Sequence, residues 1–176
     1  NRGIGHIRTF SSLDNVQVKA VCDVDERLFP RGIKEVQDGG GGTPATYSDF
    51  REMLEDKDID AVAIAAPDHW HALQAIWACQ AGKDVYIEKP LSYSIEEGQK
   101  MVEAARKYNR VVQTGTQSRS NIVVQKAMEE IRNGVIGDIY MSRAIVFGFR
   151  PNIGHVADSP VPEGVDWDMF LGPAPY

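Results

Sequence analysis

The chain has 176 residues, 43% of them hydrophobic and 25% charged, the mix of a folded domain with a core to bury rather than of a disordered segment. A formal net charge of -6 and the lack of a Lys/Arg block exclude general nucleic-acid binding, because phosphate backbones select basic surfaces. No stretch approaches the ~20 apolar residues of a membrane helix, and Cys22 and Cys79 lie in apolar runs without metal or redox spacing. Both read as buried free thiols, and a small molecule is the expected partner.

In chain order, Asn1-Arg2-Gly3-Ile4-Gly5 leads into Ile4, Ile7, Phe10 and Leu13, a spacing of three that predicts a short helix with one apolar stripe. A glycine-rich helix opening normally follows a strand, so the chain is expected to start inside a motif whose first strand lies before Asn1. Val16 to Cys22 reads as a strand ending on Asp23. Asp25 to Val36 is helical in pattern, kinked or restarted at Pro30. Gly39 to Gly42 lacks a following Lys-Ser/Thr and reads as a surface loop. Ser48 is the expected cap of a helix through about Glu55. Ile59 to Ala66 is a continuous apolar run, as for a strand buried on both faces. Asp68 is expected to cap a helix ending at Gly82, and Val85-Tyr86-Ile87 is a short strand. Ser94-Ile-Glu-Glu97 is a capping box for a helix to about Tyr108, stopped by Asn109, and Val111 to Gly115 is the last strand of the series. This alternation predicts an α/β doubly wound parallel sheet.

Past Gly115 the rhythm changes to a polar linker, a helix over Val123 to Arg132, and period-two apolar residues from Ile139 to Phe149 that predict a strand of an antiparallel or mixed sheet. A domain boundary is placed near Gln117, giving a dinucleotide-type domain over 1–117 and the opening of a second, α+β domain over 118–176. The proline-rich tail from Pro151 to Tyr176 reads as lacking a terminating element.

Exposed N–H groups at a helix start attract phosphate, and Gly3 fits the last glycine of a G-x-G-x-x-G turn. Asp23 follows Gly3 by 20 positions, the spacing at which an acidic residue reaches the adenosine ribose. Its carboxylate favours NAD and repels the 2'-phosphate of NADP, while the nearby Arg27 softens that preference and leaves NADP open. Ala66-Pro67-Asp68-His69-Trp70-His71 and Tyr86-Ile87-Glu88-Lys89-Pro90 both sit at carboxyl ends of parallel strands, where open α/β sheets bind ligands. His6 and His155 have no metal partner at ligand spacing and are read as structural or solvated.

The order Asn-Arg-Gly, strand-end Asp, Ala-Pro-x-x-x-His and Glu-Lys-Pro, with Val-Asp-Trp-Asp-Met-Phe-Leu-Gly-Pro-Ala-Pro at the close, resembles the Gfo/Idh/MocA oxidoreductases over nearly the whole chain. The resemblance implies an NAD(P)-dependent dehydrogenase acting on a sugar, polyol or inositol. Lys89 is then the catalytic residue, binding the reacting oxygen. Asn1, Arg2, Gly3, Asp23, Pro67, His71, Glu88, Lys89 and Gln117 are the cofactor-binding candidates, and no metal is expected. His71 is placed near the nicotinamide, Glu88 at its ribose, a cis bond before Pro90 turns the Lys89 ammonium into the cleft, and Trp70 is a second candidate wall. Arg119 is assigned to the domain seam. The resemblance also implies a homo-oligomer at full length, a second acid/base group outside this sequence, and a cytoplasmic address with export left open. With the central strand of a 3-2-1-4-5-6 sheet outside the chain, the 176 residues alone are expected to fold poorly and to be inactive. Two alternatives are an NAD-dependent glycoside hydrolase, working by transient sugar oxidation and elimination, and a non-catalytic dinucleotide sensor.

Overall fold

The structure, a computed structural model, describes residues 2–148, 151–152 and 154–175. It divides into two compact units, Asn1–Gly115 together with Val161–Tyr176, and Thr116–Pro160. The tail after residue 160, expected to belong to a second domain, thus folds with the first unit.

In chain order the elements are α1 (Arg2–Ser11), β1 (Ala20–Cys22), a 3₁₀ turn (Glu26–Leu28), α2 (Phe29–Asp38), β2 (Ala45–Tyr47), α3 (Phe50–Glu55), β3 (Ala61–Ile64), α4 (Asp68–Gln80), β4 (Asp84–Glu88) and α5 (Ile95–Lys107). β5 (Val112–Gly115) follows, then α6 (Ile122–Arg132) in the second unit and α7 (Trp167–Leu171) in the first. Among the described residues the named strands pair only in parallel, as the strand–helix alternation predicts, in two sheets, β1–β2 and β3–β4–β5, with one isolated antiparallel bridge between Asp25 and Val165.

The core lies between the larger sheet and its helices. Val62, Ile64, Val85 and Ile87 face Ala72, Ala75, Ala78 and Cys79 of α4 and Met101 and Ala104 of α5. Three alanines on one face of α4 let that helix approach the sheet closely. Ile87 is fully buried, a transfer worth about 1.5–3 kcal/mol for such a side chain. Lys83 is also buried: its Nζ donates to the carbonyl oxygens of Asp56 (2.6 Å) and Ile59 (2.7 Å), which satisfies the ammonium and pins the amino end of β3. The bidentate Arg8–Glu35 pair, both contacts 2.6 Å, ties α1 to α2.

Several expectations are corrected. The first strand is Ala20–Cys22 rather than Val16 to Cys22, because among the described residues its ladder partner is the three-residue β2. β3 alternates between exposed and buried instead of being covered on both faces, since Val62 and Ile64 pack into the core while Ala61 and Ala63 on the other face stay exposed. Asp49, not Ser48, caps α3, accepting from the Arg51 N–H at 2.8 Å, while Ser48 Oγ donates to Glu26 (3.2 Å). Asp68 lies inside the first turn of α4, with Pro67 at the cap and no side-chain cap bond. Described residues from 139 to 148 form no strand, because they find no partner with which to share a ladder; Phe149 lies outside the described residues. Cys22 is half-buried rather than fully buried. The capping box at Ser94 and Glu97 forms as read, Pro30 sits in the opening turn of α2, and Asn109 takes positive φ (52°) at the end of α5.

Candidate functional site

The expected site residues come from four places in the first unit. α1 brings Arg2 and Gly3, the end of β1 brings Asp23, the end of β3 and start of α4 bring Pro67 and His71, and the end of β4 brings Glu88 and Lys89. Gln117 opens the 3₁₀ turn of the other unit, and Asn1 lies outside the described residues.

Glu88 is the densest point. It ends β4 in register with Gly115 of β5, its side chain is buried, and its Oε1 lies 3.0 Å from both Arg2 Nε and His6 Nε2. Arg2 and His6 stand one helical turn apart and therefore face the same way from α1. The His6–Glu88 contact is a close approach without hydrogen-bond alignment, so both buried atoms lack a hydrogen bond among the described residues. Such groups normally find a partner. The His6 ring packs edge-on against Tyr86, at 5.2 Å between centroids. The lack of a Cβ at Gly115 matters, because one built there would come within 2.8 Å of Tyr86 Oη and 3.2 Å of Glu88 Oε1.

Asp23, half-buried at the end of β1, accepts the Asp25 N–H on Oδ1 (3.1 Å), while its own N–H donates to the Tyr47 carbonyl (3.1 Å). Burial pushes its carboxyl above the usual carboxylate range, opposed by the hydrogen bond from Asp25. Burial likewise pushes the Cys22 thiol up to about 12, reinforced by Asp23, so it is an inert packing group.

His71 is 2% exposed. Its Nδ1 lies 2.6 Å from the Pro90 carbonyl oxygen and its Nε2 3.0 Å from that of Ala66. The ring thus joins the loop after β3 to the loop after β4. The expectation placed it at the nicotinamide, whereas its ring nitrogens are engaged with backbone carbonyls. The Lys89–Pro90 peptide is cis. Lys89 itself is exposed and has no hydrogen bond or ion pair among the described residues.

A cavity of about 1160 Å³ lies between the two sheets, flanked by β1 on one side and β3 on the other, with Gly3, His6 and Phe10 of α1, Pro67 and Trp70 also reaching it. Lys19 Nζ and Asp58 Oδ2 (3.6 Å) link the flanks at the amino ends of the strands. At the carboxyl ends the tail crosses over: Asp166 N–H donates to the Val24 carbonyl (2.9 Å), and Trp70 Nε1–H donates to the Met169 carbonyl (2.9 Å). Met169 and Phe170 thereby line the cavity too. Sequence reasoning missed His6 and this tail. The i, i+4 spacing of Arg2 and His6 is a signal that pairs them, whereas nothing local places Met169.

The residues present suit a dinucleotide. Asp23 and Glu88 place carboxylates, a chemistry that pairs with hydroxyl donors, at separate strand ends, and Glu88 Oε1 is a buried acceptor lacking a hydrogen bond among the described residues. The family model described as "Oxidoreductase family, NAD-binding Rossmann fold" matches residues 5–116. A glycosyl hydrolase family 109 protein of Shewanella woodyi is 31% identical over 150 residues, 81% of this chain and 32% of that protein, and one of Shewanella pealeana is 30% identical over the same shares. The chain thus spans about a third of the length of these curated relatives. Among solved structures, the WlbA dehydrogenase from Bordetella pertussis in complex with NADH and UDP-GlcNAcA is 28% identical with a TM-score of 0.67, over 80% of this chain and 39% of that one. The scyllo-inositol dehydrogenase from Lactobacillus casei with bound NAD(H) and scyllo-inositol is also 28% identical, with a TM-score of 0.65 over 77% of this chain and 39% of that one. With its parallel strands, its strand-end carboxylates and a family match over most of its length, the chain belongs to the Gfo/Idh/MocA oxidoreductase family, whose domain here is an NAD-binding Rossmann fold.

Proposed function

We propose that the chain is the cofactor-binding part of an enzyme that moves hydride between NAD and a CH–OH group of a sugar, polyol or inositol. The observation that carries this reading is the placement of Asp23 and the Glu88–Lys89 pair at the ends of parallel strands, with Arg2 and His6 of α1 held against Glu88. Bound NAD supplies the hydride acceptor. Asp23 accepts hydrogen bonds from the hydroxyls of one ribose, and Glu88, held by Arg2, accepts from those of the other. The Lys89 ammonium donates to the substrate oxygen, stabilising negative charge there as the C–H bond is given up. His71 acts indirectly: by holding the Ala66 and Pro90 carbonyls it fixes the loop that carries Lys89. Gln117 is proposed to contact cofactor or substrate from beyond the last strand of the first unit.

The names of the curated relatives favour a second reading, an NAD-dependent glycoside hydrolase in which oxidation of the sugar is transient and the aglycone leaves by elimination. A single experiment separates the two. The full-length gene product is incubated with NAD and a panel of free sugars, inositols and aryl glycosides, following both NADH absorbance and aglycone release. NADH accumulation that falls about 10²–10⁴-fold in Lys89→Ala supports the dehydrogenase. Aglycone release without net NADH supports the hydrolase, and failure to bind NAD overturns both. A cytoplasmic address and a homo-oligomer complete the proposal. Among the described residues no helix is long and apolar enough to cross a membrane.

A further inference from the structure

The loop after β1 carries two opposed signals for cofactor choice. Asp23 disfavours a 2'-phosphate, yet Arg27 follows four positions later, and an arginine near this strand end is what accommodates that phosphate in NADP-binding sites. The structure shows what becomes of that arginine. Arg27 Nε and Nη2 each donate to the Asp25 carboxylate at 2.7 Å, a two-pronged pair, while the Arg27 backbone N–H also donates to Asp25 Oδ1 at 3.1 Å. The Asp25 backbone N–H meanwhile donates to Asp23 Oδ1. Asp25 thus hydrogen-bonds the Asp23 carboxylate through its backbone and occupies the Arg27 guanidinium through its side chain. The loop is fixed from outside as well: Glu26 N–H donates to the Gly164 carbonyl (3.0 Å), and a Cβ at Gly164 would stand 3.4 Å from Arg27 Cγ, so the tail lies along the arginine stem.

We infer that Asp25 is a specificity-determining residue that keeps the site selective for NAD by holding the Arg27 guanidinium away from the position of a 2'-phosphate. The inference rests on the dinucleotide-binding reading above. The Arg27 side chain is 54% exposed, so release from Asp25 leaves its guanidinium free to turn without breaking core packing. Charge balance points the same way. In the native loop Asp25 and Arg27 cancel, leaving the Asp23 charge to act on an incoming phosphate; with Asp25 neutral, Arg27 offsets Asp23. A second arginine, Arg31, lines a small cavity of about 60 Å³ with Gly3 and Asp23 and is the competing source of positive charge.

The test measures binding, not turnover. NAD and NADP are titrated by calorimetry into the full-length gene product and its Asp25→Asn variant. Asparagine keeps an oxygen to accept the Arg27 backbone N–H and removes only the charge; Asp25→Ser serves the same purpose should Asp25→Asn fold poorly. The ratio of NADP to NAD affinity is expected to rise about tenfold, the scale of one hydrogen bond to a charged group. In Asp25→Asn/Arg27→Ala the ratio returns to the starting value. An unmoved ratio in a protein that still binds NAD overturns this inference alone. A gain that survives in the double variant also overturns it, because Arg31 is then the source. A starting protein that binds neither nucleotide overturns the dinucleotide reading and this inference with it.

Discussion

His71 and Pro90 are joined by a 2.6 Å contact between Nδ1 and a carbonyl oxygen, and the other ring nitrogen holds Ala66 at 3.0 Å. A neutral imidazole carries one N–H and donates to one of these carbonyls; the doubly protonated ring donates to both. His71→Ala therefore removes the donor to one of these carbonyls in the neutral ring, or to both in the doubly protonated one, and opens a cavity. It is expected to lower unfolding free energy by about 2–4 kcal/mol in urea titrations. His71→Asn, which keeps an N–H donor, recovers part of that loss. Equal stability of His71→Ala and the parent would show that the ring is not a tie between the loops.

Gly115→Ala sets a methyl group against the Tyr86 hydroxyl and Glu88 Oε1. Overpacking of this kind costs about 1–3 kcal/mol. The informative measurement is the rise in Tm on adding NAD: it should shrink in the variant, because the Glu88 carboxylate, proposed to meet a ribose, has been displaced. An unchanged rise would separate Glu88 from the cofactor.

Gly172 takes φ +49°, and a Cβ there would fall 2.1 Å from Trp70 Cζ2. Gly172→Ala is thus strained and crowded together, and it should pull α7 off the start of α4 and break the Trp70 bond to Met169. The expected readouts are a red-shifted tryptophan emission and a stability loss of about 1–3 kcal/mol. A variant with the parent spectrum would mean that the tail does not need this seat.

Burial raises the Asp23 carboxyl in the folded state. A raised acid binds its proton more tightly folded than unfolded, so its contribution to stability is complete below the unfolded value of about 3.9 and is lost as pH climbs through the folded one. Asp23→Asn should then raise Tm at neutral pH and have little effect at pH values below the carboxylate range, while weakening NAD binding. A stability gain equal at both pH values would mean that charge burial is not its cause.

Much of the strand-and-helix order, and the place of the candidate residues at strand ends, was legible because its signals are local. The Ser94–Glu97 box, the strand-end Asp23 and the Glu88-Lys89-Pro90 turn each declare themselves within a few residues. What was not legible depends on distant partners. β2 is three residues long and exists because β1 offers it a ladder. α7 is five residues with a cap at Asp166, too short for a period to show. The strand expected from Ile139 to Phe149 had the right alternation, but alternation without a partner leaves backbone groups bonded to water. His6 read as a bystander because the carboxylate that it meets lies 82 positions away in sequence, closed only by the fold.

The place of β4 in the larger sheet has a consequence for how the molecule exchanges its amide hydrogens. β4 is paired on both sides, by β3 and by β5, so its N–H groups open only when that sheet does. Deuterium should therefore reach Val85 and Ile87 late, and the strand that ends on Glu88 and leads into Lys89 keeps the slowest clock of the three.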